Sequence, residues 1–182
     1  MNESQKTIIN IKYEGDELDG ICSYIIKTKG KNCVENGDLK ISAGKTRDGS
    51  PNNLIKYDKD HIDDYFRNHA DSEFNESEGW IEFDFVKQKV NLTSYTLRTV
   101  GLYYPKSWKV FGSNDRTNWV VLSRQINNPA LNGSGKQNRF ECESNNNYYQ
   151  YIRYIQDDSW YSNRQYCIQL ACIEFFGSIL AN

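Results

Sequence analysis

The side chains best suited to chemistry in this chain fall into four groups. They are an acidic run, Asp58-Lys59-Asp60-His61-Ile62-Asp63-Asp64, five cysteines at Cys22, Cys33, Cys142, Cys167 and Cys172, two histidines, and arginines and aromatics spread over the second half. The acidic run offers oxygen donors to a hard cation, but it is not an EF-hand loop. Counted from Asp58, the sixth residue is Asp63 where a glycine is needed, and the twelfth is His69 where a bidentate glutamate is needed. Asp63 and Asp64 are adjacent, so in an extended segment they point apart and do not form an acid–base pair. The cysteines are odd in number and lack a Cys-x-x-Cys pair or interleaved histidines, which argues for free buried thiols rather than zinc or a disulfide framework. His61 and His69 read as solvated loop residues. The sequence has no Gly-x-Ser-x-Gly turn, no His-Glu-x-x-His helix and no phosphate-cradling glycine loop, so it predicts a protein that is not an enzyme.

The chain has 182 residues, which predicts one domain. A net charge of -2 and a sequence pI of about 5.7 argue against a nucleic-acid binder, which would carry a basic face. Hydrophobic residues make up 38% and mean hydropathy is -0.77, yet 4 Trp, 8 Phe and 13 Tyr supply large burial per residue and predict a folded domain. The longest apolar runs, such as Ile168 to Phe176, are far short of the roughly 20 residues that cross a bilayer. Met1-Asn2-Glu3-Ser4-Gln5-Lys6 has no apolar core, so a cytoplasmic chain is expected and the sequons at Asn2, Asn75, Asn91 and Asn132 carry little weight.

Those side chains need elements to position them. Ile9-Ile11-Tyr13 alternates as a short strand. Leu18, Ile21, Cys22, Ile25 and Ile26 then follow helical spacing, with Asp16 and Glu17 suited to the positive N-terminus and Gly30 as a stop. From Leu39 the period becomes two. Strands are predicted at Leu39–Ala43, Trp80–Phe85, Tyr95–Thr99, Trp108–Phe111, Trp119–Leu122, Arg139–Cys142, Tyr149–Gln156 and Ile168–Phe176. In Trp80–Phe85, Ile81, Phe83 and Phe85 share one face, and Glu82 and Asp84 share the other. Turn signals such as Gly112-Ser113-Asn114-Asp115 and Asn132-Gly133 separate the strands. Many short strands at this spacing predict an all-β antiparallel sandwich. Consecutive antiparallel strands put their loops at alternate ends, so the connections 67–79, 100–107, 125–138 and 157–166 should gather at one end. They carry Arg67, His69, Tyr103, Tyr104, Lys106, Trp160, Tyr161 and Arg164, and Arg98 closes the strand that feeds 100–107.

The ordered series Trp80-Ile81-Glu82-Phe83-Asp84-Phe85, Tyr95-Thr96-Leu97-Arg98, Ser107-Trp108-Lys109-Val110-Phe111-Gly112-Ser113-Asn114-Asp115, Trp119, Tyr151-Ile152-Arg153-Tyr154 and Ile173-Glu174-Phe175-Phe176-Gly177 resembles the discoidin family, the coagulation-factor five/eight type C domains. The resemblance covers residues 8 to 180. It implies a galactose-binding-like jelly roll with a short N-terminal strand and helix at about 8–33. The leading Gly15-Asp16-Glu17-Leu18-Asp19-Gly20-Ile21 looks like the intracellular branch of flagellated protists. In sugar-binding relatives an arginine resembling Arg98 binds a hydroxyl and an aromatic of the last loop stacks on the ring. This makes Arg98, Tyr103, Lys106, Trp160, Tyr161, Arg164 and Arg67 the candidate ligand-binding set. Many relatives also hold a structural Ca²⁺, for which Asp58, Asp60 and Glu174 are the matching residues; no other cofactor is expected. The resemblance and the lack of a leader together predict a protein-interaction or structural subunit of an intracellular assembly, cytoskeletal or ciliary. The alternative is a module for a carbohydrate or small polar ligand.

Overall fold

The computed structural model describes residues 7–57, 65–68, 79–162 and 164–181. Its strands run β1 (Thr7–Ile11), β2 (Lys40–Ala43), β3 (Thr46–Asp48), β4 (Phe66–Asn68), β5 (Trp80–Asp84), β6 (Gln88–Thr99), β7 (Pro105–Ser113), β8 (Val120–Gln125), β9 (Gln137–Glu141), β10 (Tyr151–Ser159) and β11 (Gln169–Ala181), with one α-helix, α1 (Ile21–Lys29). Two antiparallel sheets face each other. One is ordered β3-β4-β11-β6-β9, with β1 also on β11; the other is ordered β2-β5-β10-β7-β8. This is the antiparallel β-sandwich expected of the alternating pattern. β3 and β4 escaped the sequence reading because three residues are too few to show a period. β11 runs on to Ala181, past Phe176, because β1 and β6 pair with its last residues.

Alternation decides which side chains meet between the sheets. Phe83 and Phe85 from β5 meet Phe175 from β11 edge to face, at 4.9 and 6.3 Å between ring centroids. Trp108 lies fully inside the sandwich. Its indole N–H donates to the Tyr95 hydroxyl at 2.8 Å, and that hydroxyl lies 3.2 Å from Ser123 Oγ. The buried ring therefore keeps a partner for its one polar atom.

The outer faces carry charge that is nevertheless buried. Glu82 and Asp84 leave the core side as their alternation requires, yet both are buried. Arg116 bonds Glu82 at 2.9 Å and Asp84 at 3.2 Å, and Arg153 bonds Glu82 at 2.6 Å. The Arg153 guanidinium also stacks between Trp119 and Trp80, at 4.1 and 4.9 Å from their centroids. Every charge in this outer ladder has a partner, so the ladder holds β5, β10 and the 114–119 turn together. In that turn Ser113 Oγ accepts the N–H groups of Asp115 and Arg116. Asp115 accepts those of Thr117 and Asn118, bonds that hold its carboxyl well below the usual carboxylate range.

On the other outer face the sequence expectation for α1 needs correcting. The helix begins at Ile21, not at Gly15–Leu18, and has no acid in its first turn. Asp16 accepts the Leu18 N–H in a turn, and Glu17 accepts from the Gln137 side chain. The negative group at the helix N-terminus is Glu174, from the middle of β11. Its two oxygens accept the N–H groups of Cys22 at 2.9 Å and Ser23 at 3.0 Å, and one also accepts that of Phe175 at 2.7 Å. A helix N-terminus has unpaired donors and a positive end of its dipole, and this carboxylate answers both. The approach is close enough to require Gly20, where a Cβ would sit 2.2 Å from the Phe175 carbonyl oxygen and 2.8 Å from the Glu174 side chain.

Burial pushes the Glu174 carboxyl up to about 7, although its backbone donors pull the other way. A pKa raised in the folded state means that the folded protein holds a proton the unfolded chain has released. This contribution to stability is complete below about 4.5, the ordinary value, and is lost as pH rises through 7. Urea unfolding of the wild type and Glu174→Gln at pH 5 and pH 8 measures it. The wild type should gain stability relative to the variant at pH 5; an identical difference at both pH values would contradict the assignment.

Candidate functional site

The described parts of the four connections expected to share an end do contact one another. Arg67 on β4 donates to the Tyr103 hydroxyl at 3.2 Å and lies over that ring, 4.9 Å from its centroid. The Tyr103 ring meets Tyr161 edge to face at 5.3 Å. Lys106 at the start of β7 pairs with Asp158 at 2.8 Å and faces the Trp160 ring at 5.5 Å. Backbone bonds tie the loops: Trp160 N–H to the Tyr104 carbonyl at 2.9 Å, and Asn128 N–H to the Lys106 carbonyl at 2.9 Å. The Trp160 indole N–H donates to the Asn128 carbonyl at 3.3 Å. The result is a rim on which Trp160 and Tyr161 remain 36% and 45% exposed although their edges are held.

One side chain sets the shape of the 100–104 turn. Gln169, the first residue of β11, accepts the Leu102 N–H at 3.1 Å, and its amide fills the space where a Cβ at Gly101 would lie at 2.2 Å. Gly101 has φ 71°, a left-handed conformation that glycine adopts without strain. The Tyr104 hydroxyl donates to the Gly101 carbonyl at 2.7 Å and closes the turn. Gln169, Asn128 and Asp158 are structural members of the rim that the sequence reading missed. A residue seen only as part of a strand or turn gives no sign of the loop it supports.

Arg98 is placed differently from the rest of the set. Tyr95 and Leu97 turn into the core, so Arg98 is on the outer face of β6, flanked in register by Cys172 of β11 and Gln137 of β9. Burial pushes the Cys172 thiol up to about 12, while the Arg98 charge beside it pulls the other way. The alternation carried the outward placement, since Arg98 is one residue from Leu97. Arg164 lies on the rim side, with its carbonyl accepting the Cys167 N–H at 3.2 Å.

Asp58, Asp60, His61 and His69 lie outside the described residues. Of the calcium set, Glu174 has its oxygens turned on N–H donors, which suits an anion under a helix and not a ligand facing a cation. Among the described residues, which do not include Asp58 and Asp60, no group of three or more His, Cys, Asp or Glu side chains converges on a metal position. All five cysteines are free, and four of them are buried.

The chain is similar in structure to carbohydrate-binding modules of family 32. Against CBM32-3 from a family 31 glycoside hydrolase of Clostridium perfringens the TM-score is 0.59 at 15% identity, covering 77% of this chain and 91% of that one. Against the CBM32-5 module of a family 89 glycoside hydrolase of the same organism, solved with GalNAc-β-1,3-galactose, it is 0.54 at 12% identity, covering 77% and 96%. The fold is the discoidin-like, galactose-binding-like jelly roll. A family 89 glycoside hydrolase of Clostridium perfringens matches with a TM-score of 0.56 at 18% identity, but this chain spans only 14% of its length. No protein-family model and no curated protein sequence matches. These similar structures are bacterial and give the protist branch, and a cytoskeletal or ciliary role, no support.

Replacing Gln169 by Ala leaves the Leu102 N–H without its acceptor, at a cost of about 1–2 kcal/mol. Hydrogen exchange at Leu102 and its loop neighbours should speed up well beyond that of β6 and β7. Uniform exchange across the variant would show that Gln169 does not shape this turn.

Proposed function

We propose that this chain is a non-catalytic carbohydrate-binding module that holds a glycan on the rim formed by Tyr103, Lys106, Trp160 and Tyr161. The observation that carries the reading is the pair of rings on the last loop, Trp160 and Tyr161, anchored at their edges yet exposed at 36% and 45%. A sugar offers an apolar face of C–H groups to such a ring, and its hydroxyls need donors and acceptors close by. The Tyr103 hydroxyl and the Lys106 ammonium supply them. The order of preference therefore reverses that of the sequence reading, which put a protein-interaction subunit first. Family 32 carbohydrate-binding modules sharing the fold support the change. The free thiols support a reducing compartment, and we keep the cytoplasmic placement.

A second reading rests on Leu102 and Ile126, which are 55% and 67% exposed on loops at the same end. Bare aliphatic side chains beside aromatic ones suit a protein partner as well as a sugar.

A glycan array followed by titration of the best binder separates the two. Trp160→Ala should weaken glycan binding at least about tenfold, or 1.4 kcal/mol. Its thermal midpoint should change little, because Trp160 is not part of the buried hydrophobic core. A wild-type protein silent across the array would remove the carbohydrate reading.

A further inference from the structure

The register between β7 and β10 breaks twice where the two strands reach the rim. Gln156 pairs with Trp108, Asp158 with Ser107 and Ser159 with Pro105, so Asp157 on β10 and Lys106 on β7 are passed over. Lys106 is two residues from Trp108, and Asp158 is two residues from Gln156; both of those neighbours are fully buried. Unbroken alternation would therefore turn Lys106 and Asp158 into the core. The breaks re-aim them, as β-bulges do. Both side chains reach solvent, 30% and 31% exposed, and they meet each other at 2.8 Å.

This pair is set beside an exposed ring. The Lys106 ammonium lies 5.5 Å from the Trp160 centroid, and the second oxygen of Asp158 accepts the Ser159 N–H at 2.9 Å. Asn128 N–H on the Lys106 carbonyl and Trp160 N–H on the Tyr104 carbonyl hold the backbones on either side. The neighbouring pair, Lys109 with Asp157 at 2.7 Å, is as close and about as exposed, but among the described residues its ammonium faces no ring. An ammonium has three donors and a carboxylate about four acceptor positions. The Lys106–Asp158 bond and the Ser159 N–H use only part of these, so donors and acceptors stand open side by side. Two neighbouring ring hydroxyls that are gauche to each other stand about a hydrogen-bond length apart, and each can give one proton and accept another. One hydroxyl donates to Asp158 while the next accepts from Lys106. The pair carries no net charge, so it gives a charged sugar no advantage.

We infer that the Lys106–Asp158 pair reads two adjacent, unsubstituted hydroxyls of a neutral sugar whose ring stacks on Trp160. This rests on the carbohydrate-binding reading and narrows it from sugars in general to those with a free gauche diol, with Asp158 as a ligand contact. A sugar that lacks either hydroxyl, or has it closed by a substituent, leaves one member of the pair without its bond.

The test titrates the whole chain with the methyl glycosides of galactose, glucose and mannose, and with the 2-deoxy, 3-deoxy and 4-deoxy forms of each, followed by the Trp160 indole N–H signal. In at least one series, two deoxy forms at adjacent positions should each bind about tenfold more weakly than the parent. In Asp158→Ala the penalty at one of those positions should disappear, and in Lys106→Ala the penalty at the other. Asp157→Ala should keep both. A variant that merely loosens the loop weakens parent and deoxy forms alike and leaves their ratio unchanged. Circular dichroism and the thermal midpoint identify a variant that fails to fold, and Asp158→Asn, of the same shape, then serves in its place with a penalty that shrinks in part. Deoxy forms that bind as well as their parents, or penalties that persist in the folded variants, overturn the inference and leave the carbohydrate reading standing. So does a protein that binds none of these parents but binds another sugar on the glycan array. Silence across the whole array overturns both.

Discussion

The carboxylate of Glu174, buried beneath the first turn of α1, fixes the register on which the rest of the structure depends. Side chains alternate along a strand, so a slip of one residue in β11 would turn Glu174 into the core beside Phe83 and Phe85 and turn Phe175 out beneath the helix. Either change would cost far more than a misplaced surface group, because one strands a charge among rings and the other leaves the helix donors without an acceptor. The lock joins chain segments about 150 residues apart, with Cys22 N–H and Glu174 separated by 152 positions. Gly20 is the space the lock requires.

The same register reaches the candidate site. With Glu174 set under α1, Gln169 falls at the start of β11, where it meets Leu102 and Gly101. Leu170 pairs with Phe66 and Gln169 with Arg67, which brings β4 and its guanidinium alongside Tyr103. The rim is therefore supported by the strand that also caps the helix. Its exposed rings stand on connections whose backbones are bonded to one another, so the platform is formed before any ligand arrives. Binding then costs less ordering entropy than on free loops.

Much of this could be read in the sequence. The alternation of Trp80–Phe85 and Tyr151–Tyr154 marked central strands, and counting loops by antiparallel alternation put residues 100–107 and 157–166 at one end, where Tyr104 and Trp160 share a backbone bond. Long-range pairing was hidden. Glu174 looked like a metal ligand because its neighbours in sequence say nothing of a helix 150 positions earlier, and Asp16 and Glu17 looked like the helix acids because they stand next to it. The alternation set Glu82 and Asp84 on the outer face but gave no sign of Arg116 and Arg153, each more than 30 residues away, which pair with them. Arg98 shows a different failure. Its position near a loop was weighed, but not its parity with Leu97, which turns it to the outside.

The most direct test of the account is to map the contact surface of a bound glycan by the amide and indole shifts of the protein in solution. The account requires the largest changes at the Trp160 indole N–H and at the amides of Tyr103, Tyr161 and Lys106, with little change at 85–87, 114–119 and 142–150 on the opposite pole. Changes centred on that opposite pole, or on the Arg153 ladder, would contradict it.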